Sequence, residues 1–127
     1  MPHCELVGPC DLARFHLRFQ PRSIRESGQI LKVNDAFLST GGHSLLLDCI
    51  VIEGGLRQSF LVVATTHPAG VMVRLWPRIA PEQTPGVKRC LAWVTLWLQA
   101  SWPGTAVGKT NLREQMAAPL PPAAVQP

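Results

Sequence analysis

The sequence is short of charge and of long apolar runs. Asp, Glu, Lys and Arg make up 16% of its 127 residues, against about 25% in an average soluble domain. A surface with so few charges favours regions that a partner covers. No apolar run approaches the roughly 18 residues that a bilayer-spanning helix needs. The longest candidates, 44–53 and 90–102, both contain polar residues, so we expect no membrane partner.

The sequence also lacks an export signal at its start and a disulfide framework. Residues 1–5 do not show a charged segment followed by an apolar one, which a secretory signal requires. We therefore expect a cytoplasmic protein whose cysteines are free thiols. These cysteines are Cys4, Cys10, Cys49 and Cys90. The net charge of +4 is too small to indicate a nucleic-acid partner by itself.

Hydrophobic residues reach 46%, which is enough for one globular domain, predicted over residues 1–103. In segment 12–20, Phe15, Leu17 and Phe19 alternate with polar residues. An alternation with a period of two predicts a half-buried strand, and here its other face is basic. Pro21 ends this strand, and a short second strand is predicted at 29–33.

The middle of the chain predicts an antiparallel meander. Segment 44–53 is almost continuously apolar, as in a central strand that is buried on both faces. Strands at 57–66 and 70–76 follow it after short turns that contain glycine. Links this short cannot make a parallel crossover, so neighbouring strands must run in opposite directions.

The period then changes to that of a helix, predicted at 85–100. Thr84 is a candidate N-cap, and Pro85 suits the first helical position. The helix carries two adjacent apolar stripes. One stripe contains Val87, Leu91, Val94 and Leu98, and the other contains Cys90, Trp93 and Trp97.

Residues 104–127 are rich in proline and alanine, and they predict a disordered, flexible tail. One helical turn is expected within it, at 111–116. Strands followed by a separate helix indicate an α+β fold. We expect an antiparallel meander sheet or a small open β-barrel, closed by one C-terminal helix.

Four tryptophans fall in the last strand and the helix, and this residue type is common at interface hot spots. They are Trp76, Trp93, Trp97 and Trp102. One helix buries one stripe against a sheet, so the second stripe needs a cover. A partner protein, a second copy of the chain or the curl of the sheet would each supply it. The first hypothesis is therefore a non-enzymatic interaction or regulatory domain that uses this helix and the basic edge strand as contact surfaces.

Four arginines concentrate within twelve residues, and guanidinium groups match the geometry of phosphates. They are Arg14, Arg18, Arg22 and Arg25. The second hypothesis is a module that uses them to bind an anionic nucleotide or a nucleic acid. Because Phe15 and Phe19 would lie on the opposite face of the strand, base stacking beside the arginines is not expected. An ordinary solvated strand face is the alternative.

The segment from Arg18 to Arg22 resembles the Arg-x-x-x-Arg motif of PilZ domains, small β-barrels that bind cyclic dinucleotides. A second element of that family is similar to residues 37–42, with Ser39 and Gly42 in place. The resemblance implies that Arg18 and Arg22 hold phosphates and that Ser39 and Gly42 line a guanine base. Phe37 stands where that family has an acidic residue or asparagine, and the match covers about 25 residues.

Other constellations are too weak to assign a catalytic residue, a metal or a cofactor. His3, Cys4 and Cys10 lack the paired spacing typical of zinc ligands. Ser39, His43 and Asp48 contain the residue types of a catalytic triad, but no motif places them together. Segment 104–110 is one residue too short between its glycines for a phosphate-binding loop.

Overall fold

A computed structural model of the chain, which describes residues 1–125, contains one antiparallel sheet and three helices. The curled sheet confirms the α+β class, and its strand order is β7-β1-β6-β5-β4-β3-β2-β8. The strands are β1 (His3–Val7), β2 (Arg22–Glu26), β3 (Gln29–Leu38), β4 (Ser44–Glu53), β5 (Leu56–His67), β6 (Gly70–Leu75), β7 (Ala106–Thr110) and β8 (Ala124–Val125). The helices are α1 (Leu12–Arg18), α2 (Pro85–Ser101) and α3 (Arg113–Ala117).

The meander of β4, β5 and β6 agrees with the sequence-based expectation. The β4–β5 hairpin pairs Ser44 with Thr65 at its open end and Glu53 with Leu56 at its turn. Alternate residues of β4 are fully buried against α2, and the others form the opposite face of the sheet. The buried set is Leu45, Leu47, Cys49 and Val51. Strand β4 is therefore covered on one face only, and the expectation of burial on both faces was wrong.

Helix α2 begins at the predicted cap. The Thr84 hydroxyl accepts a hydrogen bond from the Val87 amide at 3.2 Å and donates one to the Glu53 carboxylate. The Gly86 amide donates to the same carboxylate at 3.0 Å. A Cβ at Gly86 would lie 2.7 Å from Glu53 and Val51, so only glycine lets the helix start this close to β4. Within residues 1–125, no helix has the length and apolar character needed to cross a membrane.

Segment 12–20 is not a strand, and the predicted basic edge strand therefore does not exist. Residues Leu12–Arg18 form helix α1, and the Asp11 carboxylate caps it by accepting from the Arg14 amide at 2.9 Å. Leu12 and Phe15 point into the core, whereas Leu17 is 83% exposed. The alternation that predicted a strand is also compatible with a short helix, because positions 12, 15 and 19 share one helical face.

The fold continues beyond residue 104, where the tail was expected to begin. Strand β7 pairs with β1, and Leu112, directly before α3, is 1% exposed. Strand β8 pairs with the start of β2. The expected single turn at 111–116 corresponds to α3. The boundary between domain and tail must therefore lie later than 104, and residues 126–127 of the expected tail lie outside the described residues.

Buried Arg89 connects α2 to this C-terminal segment. It is 7% exposed and forms an ion pair with Glu26 of β2. Its remaining donors meet backbone carbonyls, one on Gln115, one on Ala118 at 3.1 Å and one on Pro119 at 2.9 Å. A buried guanidinium needs such a complete set of acceptors, because every unmatched donor carries a desolvation cost.

We predict that Arg89→Met lowers the free energy of unfolding by about 3 kcal/mol, the cost of breaking a buried ion pair on one side. Urea unfolding followed by circular dichroism would measure this loss. Lys88→Met is the matched control, because Lys88 is the neighbouring, half-buried cation on α2 and forms no ion pair within residues 1–125. Equal losses in the two variants would contradict the role assigned to Arg89.

Two carboxylates face each other on the sheet. Asp35 of β3 is the cross-strand partner of Asp48 of β4, directly after an irregularity in the register. Burial, and secondarily the charge of Asp35, raise the pKa of Asp48 above its ordinary value of 3.8. Like charges that lie opposite each other destabilise a sheet, so this pair lowers the stability of the folded protein at neutral pH.

We predict that Asp48→Asn stabilises the protein at neutral pH and flattens its pH dependence. The raised pKa means that the folded protein holds this proton more tightly than the unfolded chain does. Ionised Asp48 therefore lowers the stability of the folded protein, and this destabilisation disappears as the pH falls through the raised pKa toward 3.8. Urea midpoints across a pH series would show the difference between variant and parent shrinking in acid. A difference independent of pH would contradict the prediction, and Glu114→Gln serves as an exposed control.

Candidate functional site

A cleft opens between α1 and the C-terminal end of α2. Its volume is about 320 Å³, and it continues into a neighbouring hollow beside Pro9 and Cys10. We call it the arginine cleft. Its lining residues are Arg14, Phe15, Arg18, Phe19, Arg22, Trp97, Ala100, Ser101 and Trp102. Three of the four arginines named in the sequence analysis thus line the same cleft as two of the four tryptophans, Trp97 and Trp102.

The apolar wall of the cleft is an aromatic cluster around Trp97. Phe19 and Trp93 both lie nearly parallel to Trp97, with ring centroids 5.6 Å and 6.0 Å away. Phe15 meets the same ring edge-on at 5.1 Å. Such aromatic pairs add about 0.5–1.5 kcal/mol each beyond the area that they bury. The cluster therefore holds α1 against α2 and gives the cleft a rigid wall.

The cover that the tryptophan stripe needs comes largely from the chain itself. Trp93 and Trp102 are 4% and 5% exposed, and the Trp102 indole donates to the Asp11 carbonyl at 3.1 Å. Trp97 is half-buried beneath the residues of α1, and Trp76 is half-buried directly after β6. Helix α1 therefore occupies much of the surface on which the sequence predicted a contact with another protein.

Arg22 is the most constrained of the arginines in the cleft. Its guanidinium carbon lies 4.5 Å from the centre of the Trp97 ring, a cation–π contact. Its Nε atom is buried and has no hydrogen-bond partner within residues 1–125. An unmatched buried donor costs about 1–3 kcal/mol. The side chain is thus held in place with a donor that still needs an acceptor.

The cleft is electropositive. Arg14 and Arg18 are exposed and one helical turn apart on α1, a like-charge spacing that slightly destabilises a helix. Within residues 1–125, neither they nor Arg22 form an ion pair. Asp11 is the acidic residue beside Arg14, and its carboxylate is engaged in capping α1. In the described chain, no ion pair neutralises the three guanidinium groups.

The remaining predicted ligand residues lie elsewhere. Arg25 pairs with Ile30 and points to the sheet face opposite Arg22. Ser39 and Gly42 belong to the β3–β4 turn, where the Ser39 hydroxyl accepts from the Ser44 amide at 3.0 Å. None of the three lines the arginine cleft. The arrangement implied by the PilZ resemblance is therefore not assembled around Arg18 and Arg22.

The structure does not bring the residues of the candidate triad together. The Ser39 hydroxyl serves the β3–β4 turn, His43 lies 3.3 Å from the Thr66 hydroxyl, and Asp48 faces Asp35. Burial raises the pKa of the Cys4 and Cys10 thiols, which disfavours the reactive thiolate. In residues 1–125, no three His, Cys, Asp or Glu side chains are grouped to hold a metal ion.

Sequence reasoning missed that the phenylalanines of segment 12–20 share a site with its arginines. Phe15 and Phe19 line the cleft beside Arg14 and Arg18, whereas a strand would have separated them. The available signal was Asp11, an N-cap residue directly before Leu12. With that start, a helical period places Leu12, Phe15 and Phe19 on one face and the arginines next to it.

Comparison with known proteins gives neither a family nor a function. No family model, no curated protein and no solved structure matches the chain. The resemblance to PilZ domains therefore rests on short motifs alone, and the argument for function depends on the arginine cleft.

Proposed function

We propose that the protein is a non-enzymatic binding module whose arginine cleft takes a small anionic ligand with a planar apolar part, as in a nucleotide. The observation that carries this proposal is the grouping of Arg14, Arg18 and Arg22 around the cleft. Arg22 is fixed over Trp97, and none of the three forms an ion pair within residues 1–125. The oxygens of a bound phosphate would accept from these guanidinium groups. Charge-assisted hydrogen bonds of this kind are about twice as strong as neutral ones.

The surroundings of Arg22 support the same ligand class. Arg14 and Arg18 add two exposed guanidinium groups at the mouth of the cleft, and Phe15, Phe19 and Trp97 give it an apolar wall. The volume of about 320 Å³ lies at the lower end of the range for small-molecule sites. A mononucleotide suits this size and chemistry better than a long nucleic acid, which needs an extended basic surface.

The geometry favours this function over contact with a partner through the tryptophan-bearing helix. Trp93 and Trp102 are used inside the fold, and interface hot spots need side chains that a partner can reach. The lack of an assembled nucleophile and base among Ser39, His43 and Asp48 favours binding over catalysis.

We predict that a nucleoside phosphate changes the tryptophan fluorescence of the purified chain, because Trp97 lines the cleft. The panel should hold adenine and guanine mono-, di- and triphosphates, cyclic nucleotides, free nucleosides and inorganic phosphate. A ligand at a hundred times its dissociation constant should also stabilise the fold by about 2.7 kcal/mol. Binding should weaken with added salt. A panel without any saturable response would refute the proposed function.

We further predict that Arg14→Gln with Arg18→Gln weakens the best ligand of that panel at least tenfold, through the loss of two charged donors. Both side chains are exposed, so the fold should persist. The matched control is Arg78→Gln with Arg113→Gln, which removes the same charge from exposed positions outside the cleft. Equal weakening by both pairs would mean that net charge, and not the cleft, attracts the ligand.

A further inference from the structure

The face of the sheet opposite the helices has no cover within residues 1–125. The buried side chains of α1 and α2 belong to one core cluster with Leu45, Leu47 and the other inward residues of the sheet, and α3 packs on α2. On the other face, Leu46, Ile50 and Ile52 of β4 are half-buried, although no element lies over them. We call this surface the open face.

The register of β3 and β4 arranges the open face in four rows. Phe37 pairs with Leu46, Asp35 with Asp48, Lys32 with Ile50, and Ile30 with Ile52. Paired residues lie side by side on one face of an antiparallel sheet. Along the strands, the face therefore has an apolar row, an acidic row, a row that contains a lysine and a second apolar row.

Along β3, this order is complementary to itself. A two-fold axis across the strands, between the acidic row and the lysine row, would reverse the order in a facing copy. Asp35 would then meet the partner's Lys32, and Lys32 would meet the partner's Asp35. Phe37 would meet the partner's Ile30, and Leu46 would meet the partner's Ile52. Asp48 would lie opposite the partner's Ile50, beside the partner's Lys32. A symmetric dimer needs a surface that complements itself in this way, and two sheets pack face to face with their strands nearly aligned.

The charges of a single chain favour such a cover. Within residues 1–125, Asp35, Asp48 and Lys32 form no ion pair, and the two carboxylates oppose each other. Phe37, in the outermost of the rows, is 51% exposed. A facing lysine would offset the acidic row, while the apolar rows on either side would exclude water from it.

We infer that the open face is the interface of a homodimer, in which two sheets pack face to face and Asp35 and Lys32 form reciprocal ion pairs. The partner is a second copy of this chain. The arginine cleft lies on the helix side of the sheet and is not part of this interface, so the inference stands independently of the proposed ligand.

Sedimentation equilibrium of the full chain over a wide concentration range tests the inference. We expect a monomer–dimer equilibrium in the parent protein. Lys32→Asp alone and Asp35→Lys alone should each weaken association about tenfold or more, because each places like charges together twice at the symmetric interface. The double variant, Lys32→Asp with Asp35→Lys, should restore dimerisation because the reciprocal pairs are re-formed with the signs exchanged.

The matched control is Arg113→Asp, a charge reversal at an exposed position of α3 on the helix side. It should leave the dimer unchanged, and circular dichroism would verify that every variant is folded. Phe37→Ser provides a second route, since it removes apolar contact at a largely exposed position without a change in charge. A monomeric parent, a dimer that tolerates both single reversals, or a double variant no better than the single ones would overturn the inference.

Discussion

The fold depends on the need to bury helix α2 on more than one side. Ten of its seventeen residues are buried, and a single sheet face can cover only one stripe of a helix. The sheet covers the stripe that contains Leu91 and Leu98, and α1 covers the tryptophan stripe through Phe15 and Phe19. The C-terminal segment covers the side of Arg89. Helix α1 and the C-terminal segment thus pack where α2 would otherwise be exposed.

The meander and α2 could be predicted because each element has a strong local pattern. The run from Ser44 to Glu53 has a strand composition, and the glycine turn after it forces a hairpin. Thr84 and Pro85 indicate the start of the helix, and the structure shows the expected cap. These are interactions between residues close in sequence, which a single sequence records well.

The elements that were predicted wrongly depend on distant contacts or on an ambiguous period. The pattern of segment 12–20 fits a strand and a helix almost equally. In the helix that forms, Phe15 packs against Trp97 and Trp102, which are distant in sequence. The C-terminal segment is held by backbone pairing of β7 with β1 and by carbonyls that accept from Arg89. Every residue has a carbonyl, so no sequence pattern marks this contact. The composition of residues after 104 therefore predicted a flexible tail, although this segment packs on the domain.

For the site, the sequence identified the right residue types with the wrong geometry. Arg14, Arg18 and Arg22 do come together. Arg14 and Arg18 lie on one side because they are one helical turn apart, whereas the sequence analysis expected them to share one face of a strand. Arg25, Ser39 and Gly42 fall outside because β2 and the β3–β4 turn direct them elsewhere. The helix also places the phenylalanines beside the arginines. The aromatic wall that was missing from the nucleotide hypothesis thus follows from the same correction.

The two proposed surfaces lie on opposite faces of one sheet, and this separation has a consequence for how they act. The cleft is built from α1, the end of α2 and the start of β2, whereas the open face is built from β3 and β4. Coupling between two sites requires an element with two alternative arrangements that both sites bias. The sheet between them is hydrogen-bonded from strand to strand and has a close-packed core on one side. Two copies joined at their open faces would therefore present two outward clefts that bind their ligands independently.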